Sequence, residues 1–266
     1  MSTLKYLLVG FVVLYSLMGL IIYFFQEKFI FLPTVLADDF QFQFRHPFEE
    51  HLLKTADEGH INLLHFKAIE SKGLIVYFHG NAGSLERWGG IVAPFVDLGY
   101  DVLISDYRGY GKSKGERNQQ NLLGDADAIY AFAKSLADEN EIILFGRSLG
   151  SGFASYLAGK NRPSKVILET PFYSLEAEAN RRFMIYPVSW LLRYQLKSHE
   201  YLKQNSAPVF VFHGTEDKVV SYEAGQRLFE NIPTNGGQFV TIEGGLHNDL
   251  SEYPAYWDGM KAALNE

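Results

Sequence analysis

The chain alternates short apolar runs with segments of helical periodicity over most of its length. Apolar runs long enough for a strand occur at the start of seven segments: 61–68, 73–80, 101–115, 141–146, 166–170, 208–214 and 239–245. The segment 101–115 continues into a glycine-rich loop. Segments with apolar residues three or four positions apart predict helices near residues 84–99, 118–137, 149–160, 221–231 and 250–264. Residues 40–46 (FQFQFRH) alternate with period two and predict a first strand ahead of these elements. Because short buried strands that alternate with helices form parallel sheets, the pattern predicts an α/β fold with a mainly parallel, doubly wound sheet.

The first 32 residues follow a different pattern. Residues 6–25 (YLLVGFVVLYSLMGLIIYFF) carry no charge, and about 20 apolar residues are enough to cross a bilayer core as a helix. A cleaved signal peptide would have a shorter apolar core, and the cleavage-like signal at residues 35–37 lies beyond charged residues and Pro33. A buried helix of a soluble protein would show a polar face, which this segment lacks. We therefore expect an uncleaved single-pass anchor over residues 1–32 and one globular domain over residues 33–266.

The charges that flank the anchor bear on its orientation. Lys5 and the terminal amine favour a cytoplasmic N-terminus, which would put the domain on the extracytoplasmic side of the membrane. Lys28 and Arg45 on the other side nearly balance that count. The expected orientation therefore depends on a small excess of positive charge.

Composition narrows the function classes. At 266 residues and 47% hydrophobic, the chain is large enough for one α/β domain with a full core. A net charge of −7 and the lack of a dense lysine or arginine stripe argue against a nucleic-acid partner. Without cysteine, disulfides, thiolate metal sites and cysteine nucleophiles are excluded. We expect neither a cofactor nor a metal.

A serine between two glycines directly follows a predicted strand and directly precedes a helix, in EIILFGRSLGSG (141–152). A sharp strand-to-helix turn would project the Ser148 hydroxyl above the sheet, while Gly146 and Gly150 leave room for the strained backbone. The helix N-terminus would direct N–H groups at developing negative charge. The alternative is a glycine-rich turn whose serine caps the helix. Ser148 is thus a candidate nucleophile that requires a base and a carboxylate.

Candidates for the base and the carboxylate follow later strands. His247 lies in GGLHND after the segment 239–245, and Asp217 lies in HGTEDKVV after the segment 208–214, with Glu216 as its immediate rival. The chain order serine, aspartate, histidine is the order of a hydrolase triad on such a sheet. Because the carboxyl ends of parallel strands meet at one edge, we predict that Ser148, Asp217 and His247 are catalytic.

The loop FHGNAGS (78–84) also lies between a strand and a helix. Its backbone amides could point at the same edge, so that the Asn81 N–H pairs with the Leu149 N–H to bind a tetrahedral oxyanion. A phosphate-binding loop is the alternative for a glycine-rich helix start. The segment lacks the G-K-[ST] ending and the G-x-G-x-x-G spacing of such loops. His79 is expected to shape the loop by hydrogen bonding.

Together these motifs resemble the α/β-hydrolase superfamily of serine hydrolases over nearly all of the chain after the anchor. The resemblance is carried by HGNAG (79–83), DYRGYGKS (106–113), GRSLG (146–150), HGTEDKVV with Asp217, and His247. DYRGYGKS is similar to a loop that is structural in the superfamily, which leaves Asp106 and Arg108 outside the catalytic set. With ETPF (169–172), the combination looks most like a small branch of single-pass, membrane-anchored hydrolases. Members of that branch are often described by analogy with serine peptidases or acyl-ester hydrolases.

The resemblance implies a metal-independent serine hydrolase that cleaves carboxylic esters or thioesters through an acyl-enzyme. A serine peptidase or amidase is the alternative, and it would need a pocket for a free amino terminus, for which no clear acidic pair is visible. A membrane-tethered binding protein with a retained hydrolase fold is a further alternative, but such a protein would usually have lost a triad member. A dehalogenase or an epoxide hydrolase would need aspartate at position 148.

An insertion at about residues 171–205 lies where the superfamily carries a lid. It mixes apolar side chains with cations, among them Phe172, Phe183, Met184, Ile185, Tyr186, Trp190, Arg181, Arg182, Arg193 and Lys197. One interpretation is a helix pair packed on the sheet with its cations in water. The other is an apolar wall for an acyl chain, with basic residues near lipid headgroups. The expected partners are therefore the membrane and a small-molecule or lipid-like acyl ester, and the oligomeric state stays open.

Overall fold

A central sheet organises the chain, of which the computed structural model describes residues 3–265. The strands in this range are β1 (Leu32–Pro33), β2 (Phe48–Lys54), β3 (His60–Phe66), β4 (Leu74–Phe78), β5 (Ala82–Gly83), β6 (Asp101–Ser105), β7 (Ile142–Arg147), β8 (Lys165–Glu169), β9 (Val209–Gly214) and β10 (Phe239–Ile242). One sheet has the strand order β10-β9-β8-β7-β4-β6-β3-β2. Within it, β3 runs antiparallel to both of its neighbours and the other pairs are parallel. β1 and β5 form a separate parallel pair.

Helices cover both faces of this sheet. They are α1 (Thr3–Ile30), α2 (Leu85–Ile91), α3 (Ala93–Asp97), α4 (Gln119–Ala133), α5 (Leu149–Ala158), α6 (Leu175–Arg182), α7 (Val188–Leu191), α8 (Ser198–Tyr201), α9 (Tyr222–Glu230) and α10 (Pro254–Asn265). One buried apolar layer includes Phe153 of α5 and Leu228 of α9. The opposite layer includes Trp88 of α2 and Met260 of α10. The predicted doubly wound α/β architecture is confirmed.

The strand predicted at residues 40–46 is wrong. That segment is irregular, and the edge strand is β2, which pairs with β3 along its whole length. Phe42 is buried in the layer beneath α2, and Phe40 and Phe44 pack against the same layer. The period-two pattern therefore records the burial of one side of an irregular segment that has no hydrogen-bonded neighbour strand.

In two places the observed helices cover fewer residues than the segment over which the apolar periodicity predicts a helix. The segment 84–99 divides into α2 and α3, with the break at Val92 just before Pro94. The segment 250–264 begins with a single 3₁₀ turn, Leu250–Glu252, before α10. In both places a proline lies within the first two residues of the following helix, where its missing N–H costs no helical hydrogen bond.

Helix α1 precedes the sheet as a 28-residue element, roughly 42 Å long at 1.5 Å per residue. Its mean hydropathy reaches 2.4 over 18 residues, and within residues 3–265 it is the one helix long and apolar enough to cross a membrane. Most of its side chains are exposed. The chain continues from α1 into β1, so the end of this helix lies close to the HGNAG loop that contains β5.

Candidate active site

Ser148 lies in the sharp turn between β7 and α5. Its backbone has φ +50° and ψ −113°, a conformation that non-glycine residues rarely adopt. A Cβ on Gly150 would lie 1.9 Å from the carbonyl oxygen of Phe78, and a Cβ on Gly146 would lie 2.6 Å from the carbonyl oxygen of Gly150. The two flanking glycines are therefore required because the turn packs directly on the neighbouring backbone.

The other two predicted residues meet Ser148 at the carboxyl edge of the sheet. His247 Nε2 lies 2.9 Å from Ser148 Oγ, and His247 Nδ1 lies 2.7 Å from Asp217 Oδ2. Since an ionised carboxylate only accepts hydrogen bonds, the proton of a neutral His247 ring lies on Nδ1, which leaves Nε2 to accept from the serine hydroxyl. The arrangement can remove a proton from Ser148 as its oxygen attacks an electrophile.

Asp217 is held as a charged carboxylate. Its Oδ1 accepts hydrogen bonds from the backbone N–H groups of Val219 and Val220, at 2.8 and 3.0 Å. Burial raises the pKa of Asp217, but hydrogen bonds from His213 and His247 lower it by more, so that the pKa lies below its ordinary range. A charged carboxylate in this position can orient the His247 ring and stabilise an imidazolium.

The rival carboxylate lies elsewhere. Glu216 is exposed, and its Oε2 accepts a hydrogen bond from Lys218 Nζ at 2.9 Å. Of the two carboxylates, Asp217 is the one hydrogen-bonded to His247. The geometry therefore favours Asp217 as the candidate third member of the triad.

The HGNAG loop faces the nucleophile. Asn81, Ser148 and Leu149 line the same cavity, as a pair of oxyanion-binding amides requires. The carbonyl oxygen of Asn81 accepts hydrogen bonds from the Leu32 N–H at 2.9 Å and from the Tyr110 hydroxyl at 2.7 Å. The loop is thus held by the chain that leaves α1.

His79 and the DYRGYGKS loop lie behind the cavity. The Nδ1 atom of buried His79 lies 2.6 Å from the carbonyl oxygen of Gly80, and its Nε2 lies 3.3 Å from Asp106 Oδ1. Arg108 is 1% exposed and donates to both carboxylate oxygens of Asp125 at 2.7 Å. Neither Asp106 nor Arg108 lines the cavity, which fits a structural role for both.

Sequence reasoning missed two supporting contacts. His213 Nε2 lies 3.3 Å from Asp217 Oδ2, and a Cβ on Gly225 would lie 2.3 Å from the His213 ring. Arg147, the residue before the nucleophile, donates to Asn248 Oδ1 at 3.4 Å and so links the nucleophile turn to the loop of His247. His213 and Arg147 each lie next to a motif in the sequence. Their contact partners could not be predicted, because those partners lie on distant loops that meet only in the folded chain.

The cavity beside Ser148 has a volume of about 220 Å³ and a mostly apolar lining. Its walls come from helices α6 and α7 of the predicted lid, from the loop after Asp217 and, unexpectedly, from one face of α1. The acidic residue in the lining is Glu178, whose carboxylate accepts a hydrogen bond from Arg181 at 3.0 Å. The cavity can hold an apolar group next to the nucleophile.

One group of metal-ligand side chains occurs in the described chain. Ligand atoms of Glu49, His51 and His65 lie within 4.8 Å of one another on β2 and β3. Lys67 already pairs with Glu49, and Asp101 Oδ2 lies 3.2 Å from His65 Nε2. These strands lie at the opposite edge of the sheet from β9 and β10, so this group takes no part in the candidate active site.

Comparison with known proteins places the chain in a family. A family model described as Hydrolase_4, serine aminopeptidase S33, matches residues 69–198 and 188–254. The chain is 29% identical over 233 residues to the uncharacterized membrane protein YNL320W of Saccharomyces cerevisiae, covering 83% of this chain and 80% of that protein. It is 28% identical over 226 residues to human α/β hydrolase domain-containing protein 17C, covering 80% of this chain and 64% of the relative.

Another relative is longer than this chain. The lysophosphatidylserine lipase ABHD12 of Danio rerio is 30% identical over 186 residues, which cover 60% of this chain and 47% of the relative. The chain therefore spans less than half of that protein.

Solved structures show the fold independently. The Pyrococcus furiosus esterase Pf2001 superposes with a TM-score of 0.68 at 17% identity, covering 88% of this chain and 96% of the esterase. An α/β hydrolase from Vibrio vulnificus superposes with a TM-score of 0.68 at 18% identity, covering 82% and 81% of the two chains. At such identities the likeness establishes the α/β-hydrolase fold alone.

Proposed function

The chain belongs to the Hydrolase_4 family of α/β-hydrolases, and from that membership we propose that it is a membrane-anchored serine hydrolase that cleaves carboxylic ester or thioester bonds. The observation that carries the proposal is the hydrogen-bonded series from Asp217 through His247 to Ser148, at 2.7 and 2.9 Å, beside an apolar cavity. Serine is a weak nucleophile without such a base, and the apolar cavity fits an acyl group.

In the proposed reaction, Ser148 Oγ attacks the acyl carbonyl while His247 Nε2 takes its proton. The backbone N–H groups of Asn81 and Leu149 donate to the oxyanion of the tetrahedral intermediate. The imidazolium, stabilised by Asp217, then protonates the leaving alcohol or thiol as the tetrahedral intermediate collapses to the acyl-enzyme. Water, deprotonated by His247, attacks the acyl-enzyme and releases the acid, which regenerates the Ser148 hydroxyl.

Labelling by a fluorophosphonate tests the nucleophile and the base. We expect wild-type protein to be labelled, Ser148→Ala to be unlabelled, and His247→Ala and Asp217→Ala to be labelled far more slowly. Turnover of a butyryl ester should fall by roughly 10⁴-fold or more in each triad variant. Labelling that persists in Ser148→Ala would exclude Ser148 as the nucleophile, and unchanged labelling of His247→Ala would exclude that base.

A peptidase or amidase of the same fold is the second candidate, because the family description names a serine aminopeptidase. An aminopeptidase needs a free carboxylate to bind the substrate ammonium. The acidic residue in the cavity lining, Glu178, is already paired with Arg181, which favours the ester. Hydrolysis of an aminoacyl nitroanilide faster than of a nitrophenyl ester would reverse this preference.

The proposal includes residues 1–32 as the anchor, residues 33–266 as the hydrolase domain with its lid at about 171–205, and an extracytoplasmic position for that domain. The membrane attachment is supported by α1 and by the membrane-protein relative from yeast. A C-terminal alkaline phosphatase fusion, active only outside the cytoplasm, tests the orientation. Activity of a matched cytoplasm-specific reporter instead would reverse it.

A further inference from the structure

One face of α1 forms part of the wall of the cavity that contains Ser148. Ile22, Gln26, Phe29 and Ile30 all line this cavity. Their spacing of four, seven and eight residues from Ile22 puts them on a single helical face. The helix therefore contributes side chains to the same space as the nucleophile, in addition to crossing a membrane.

The C-terminal end of α1 is held against the lid by polar contacts, of which those of Gln26 are the more buried. Gln26 is 4% exposed; its Nε2 donates to the carbonyl oxygen of Leu191 at 3.0 Å, and its Oε1 accepts from the Arg193 N–H at 2.7 Å. Glu27 Oε1 accepts hydrogen bonds from Arg193 at 3.1 Å and from the Tyr194 hydroxyl at 2.8 Å. Together these contacts fix both the rotation of α1 about its axis and its position along the lid.

The lid also extends along α1 into the apolar span. The rings of Tyr15 and Tyr186 stack with centroids 4.6 Å apart, and the Tyr15 hydroxyl donates to the carbonyl oxygen of Ile185 at 2.7 Å. Tyr15 precedes Phe25, the end of the uncharged stretch, by ten residues, which is roughly 15 Å of helical rise. A bilayer core is about 30 Å thick. If α1 spans it, residues 183–192, which we call the tip of the lid, lie at the depth of the hydrocarbon.

The tip of the lid has the composition that this depth requires. Its exposed side chains include Met184, Ile185 and Trp190, which are 84%, 73% and 85% exposed. Several of its backbone N–H groups bond within the protein, among them the Tyr186 N–H to Phe183 O at 2.9 Å and the Trp190 N–H to Pro187 O at 3.0 Å. Irregular backbone is stable at membrane depth only when its polar groups are satisfied in this way.

Basic side chains border this apolar tip. Arg181 and Arg182 lie at the end of α6, directly before the tip, and Arg193 follows α7 directly after it. Arg181 pairs with Glu178 and Arg193 pairs with Glu27. Long basic side chains that border an apolar segment in this way place their charge at the level of the headgroups.

Resting on the proposed function, we propose that α1 and the lid together form an acyl-chain site that opens into the membrane at Ile22, so that α1 is a specificity element of the enzyme. The substrate is a membrane lipid with a long-chain acyl ester. Its acyl chain enters the cavity sideways from the adjoining leaflet, between Ile22 and Phe29 of α1 and the lid, and brings the ester carbonyl to Ser148. Ile22, on the cavity wall, is the residue that sets how far a long acyl chain can extend.

A paired substitution on adjacent residues of α1 tests this site. Ile22→Trp fills the cavity, whereas Ile21→Trp adds the same ring to a neighbouring position outside the lining. Full-length protein in phosphatidylcholine vesicles is assayed with palmitoyl and butyryl esters. We expect Ile22→Trp to lower the palmitoyl-to-butyryl rate ratio by about tenfold or more, Ile22→Phe to lower it less, and Ile21→Trp to leave it unchanged.

The butyryl rate and fluorophosphonate labelling separate the outcomes. If wild-type protein is neither labelled nor active on the butyryl ester, the proposed function itself has failed. If the wild type is active and the two tryptophan variants have the same palmitoyl-to-butyryl rate ratio, the acyl site on α1 is refuted. The proposed hydrolase activity then still stands. If Ile22→Trp does not accumulate, the Ile22→Phe ratio decides in the same way.

Tryptophan fluorescence tests the depth of the lid. The chain has three tryptophans, of which Trp88 is 3% exposed and Trp190 is 85% exposed. In vesicles whose lipid acyl chains carry bromine, we expect quenching of the wild-type emission that Trp190→Phe abolishes. Equal quenching of wild type and Trp190→Phe would place the lid outside the hydrocarbon and overturn lateral entry.

Discussion

Half-buried Ser148, the candidate nucleophile, reaches the cavity because of the glycines around it. Gly150 packs its Cα against the backbone of β4, and Ser148 keeps an unfavourable φ because the surrounding turn leaves it no other conformation. The strain at Ser148 is therefore maintained by packing, and a change in that packing should affect labelling and stability together.

Gly150→Ala is expected to destabilise the fold by at least roughly 1–3 kcal/mol, because its Cβ would overlap the Phe78 carbonyl oxygen and backbone must move. Thermal unfolding and fluorophosphonate labelling measure the two effects. The matched control is Gly124→Ala in α4, where the new Cβ meets no atom within 4 Å. That change should stabilise the helix by roughly 0.5–1 kcal/mol. Equal unfolding temperatures for the two variants would contradict the close packing.

The low pKa of Asp217 has a consequence for stability against acid. A carboxyl group whose pKa is lowered on folding stabilises the native state above its ordinary pKa, and this stabilisation is lost as pH falls through the lowered pKa. We expect the stability gap between wild type and Asp217→Asn to be largest near pH 7 and to shrink below about pH 4. Urea unfolding at several pH values measures it, and a gap that stays constant into strong acid would contradict a charged Asp217.

The residues of the candidate triad could be predicted because their identity and order are visible along the chain. Ser148, Asp217 and His247 each follow a strand pattern, and parallel strands bring such positions to one edge. His213 and Arg147 could not be assigned, because their contacts with Asp217 and Asn248 depend on side-chain directions in loops that meet only in three dimensions.

At the scale of elements, buried strands were more predictable than the edge. β4, β7 and β8 are buried along their whole length and read as continuous apolar runs. β2 is half exposed and carries FEEHLLK, which lacks a clear alternation. The alternation at residues 40–46 instead comes from phenylalanines that cover the sheet face. A period of two shows that one side of a segment is buried. It does not show that the segment is hydrogen-bonded to a neighbouring strand.

The contact between α1 and α7 through Gln26 can be tested directly. Gln26→Ala leaves the Leu191 carbonyl and the Arg193 N–H without partners in a buried place, at a cost of about 1–3 kcal/mol. We expect faster hydrogen exchange in residues 183–193 of the variant in vesicles. Gln41→Ala, an exposed glutamine that bonds only to Asp39 O, is the control. Identical exchange in the two variants would mean that Gln26 does not hold the lid.

For the whole molecule, Arg108 connects segments that are distant in the chain. It pairs with Asp125 of α4 and with Asp57 in the turn between β2 and β3, and its side chain is 1% exposed. Removing one partner of a buried pair costs about 3–5 kcal/mol, which at roughly 2–4 °C per kcal/mol is a large shift in unfolding temperature. Arg108→Met should therefore melt early, while the folded variant is still labelled at low temperature.

Exposed Arg162→Met serves as the control for that measurement and should melt with the wild type. Loss of labelling in folded Arg108→Met would instead move Arg108 into the catalytic machinery. The fold as a whole was predictable because alternating strands and helices leave few topologies, but the docking of α1 on a lid more than 150 residues away has no local signature.

The short ladder between β1 and β5 changes what detachment from the membrane would mean. Leu32 and Thr34, within the first four residues after α1, donate to the carbonyl oxygens of Asn81 and Gly83. A protease that cut in this segment would free a domain that lacks one wall of its cavity and a brace on its oxyanion loop. A soluble fragment prepared without α1 is therefore expected to hydrolyse esters more slowly than the full chain and to show a different chain-length preference.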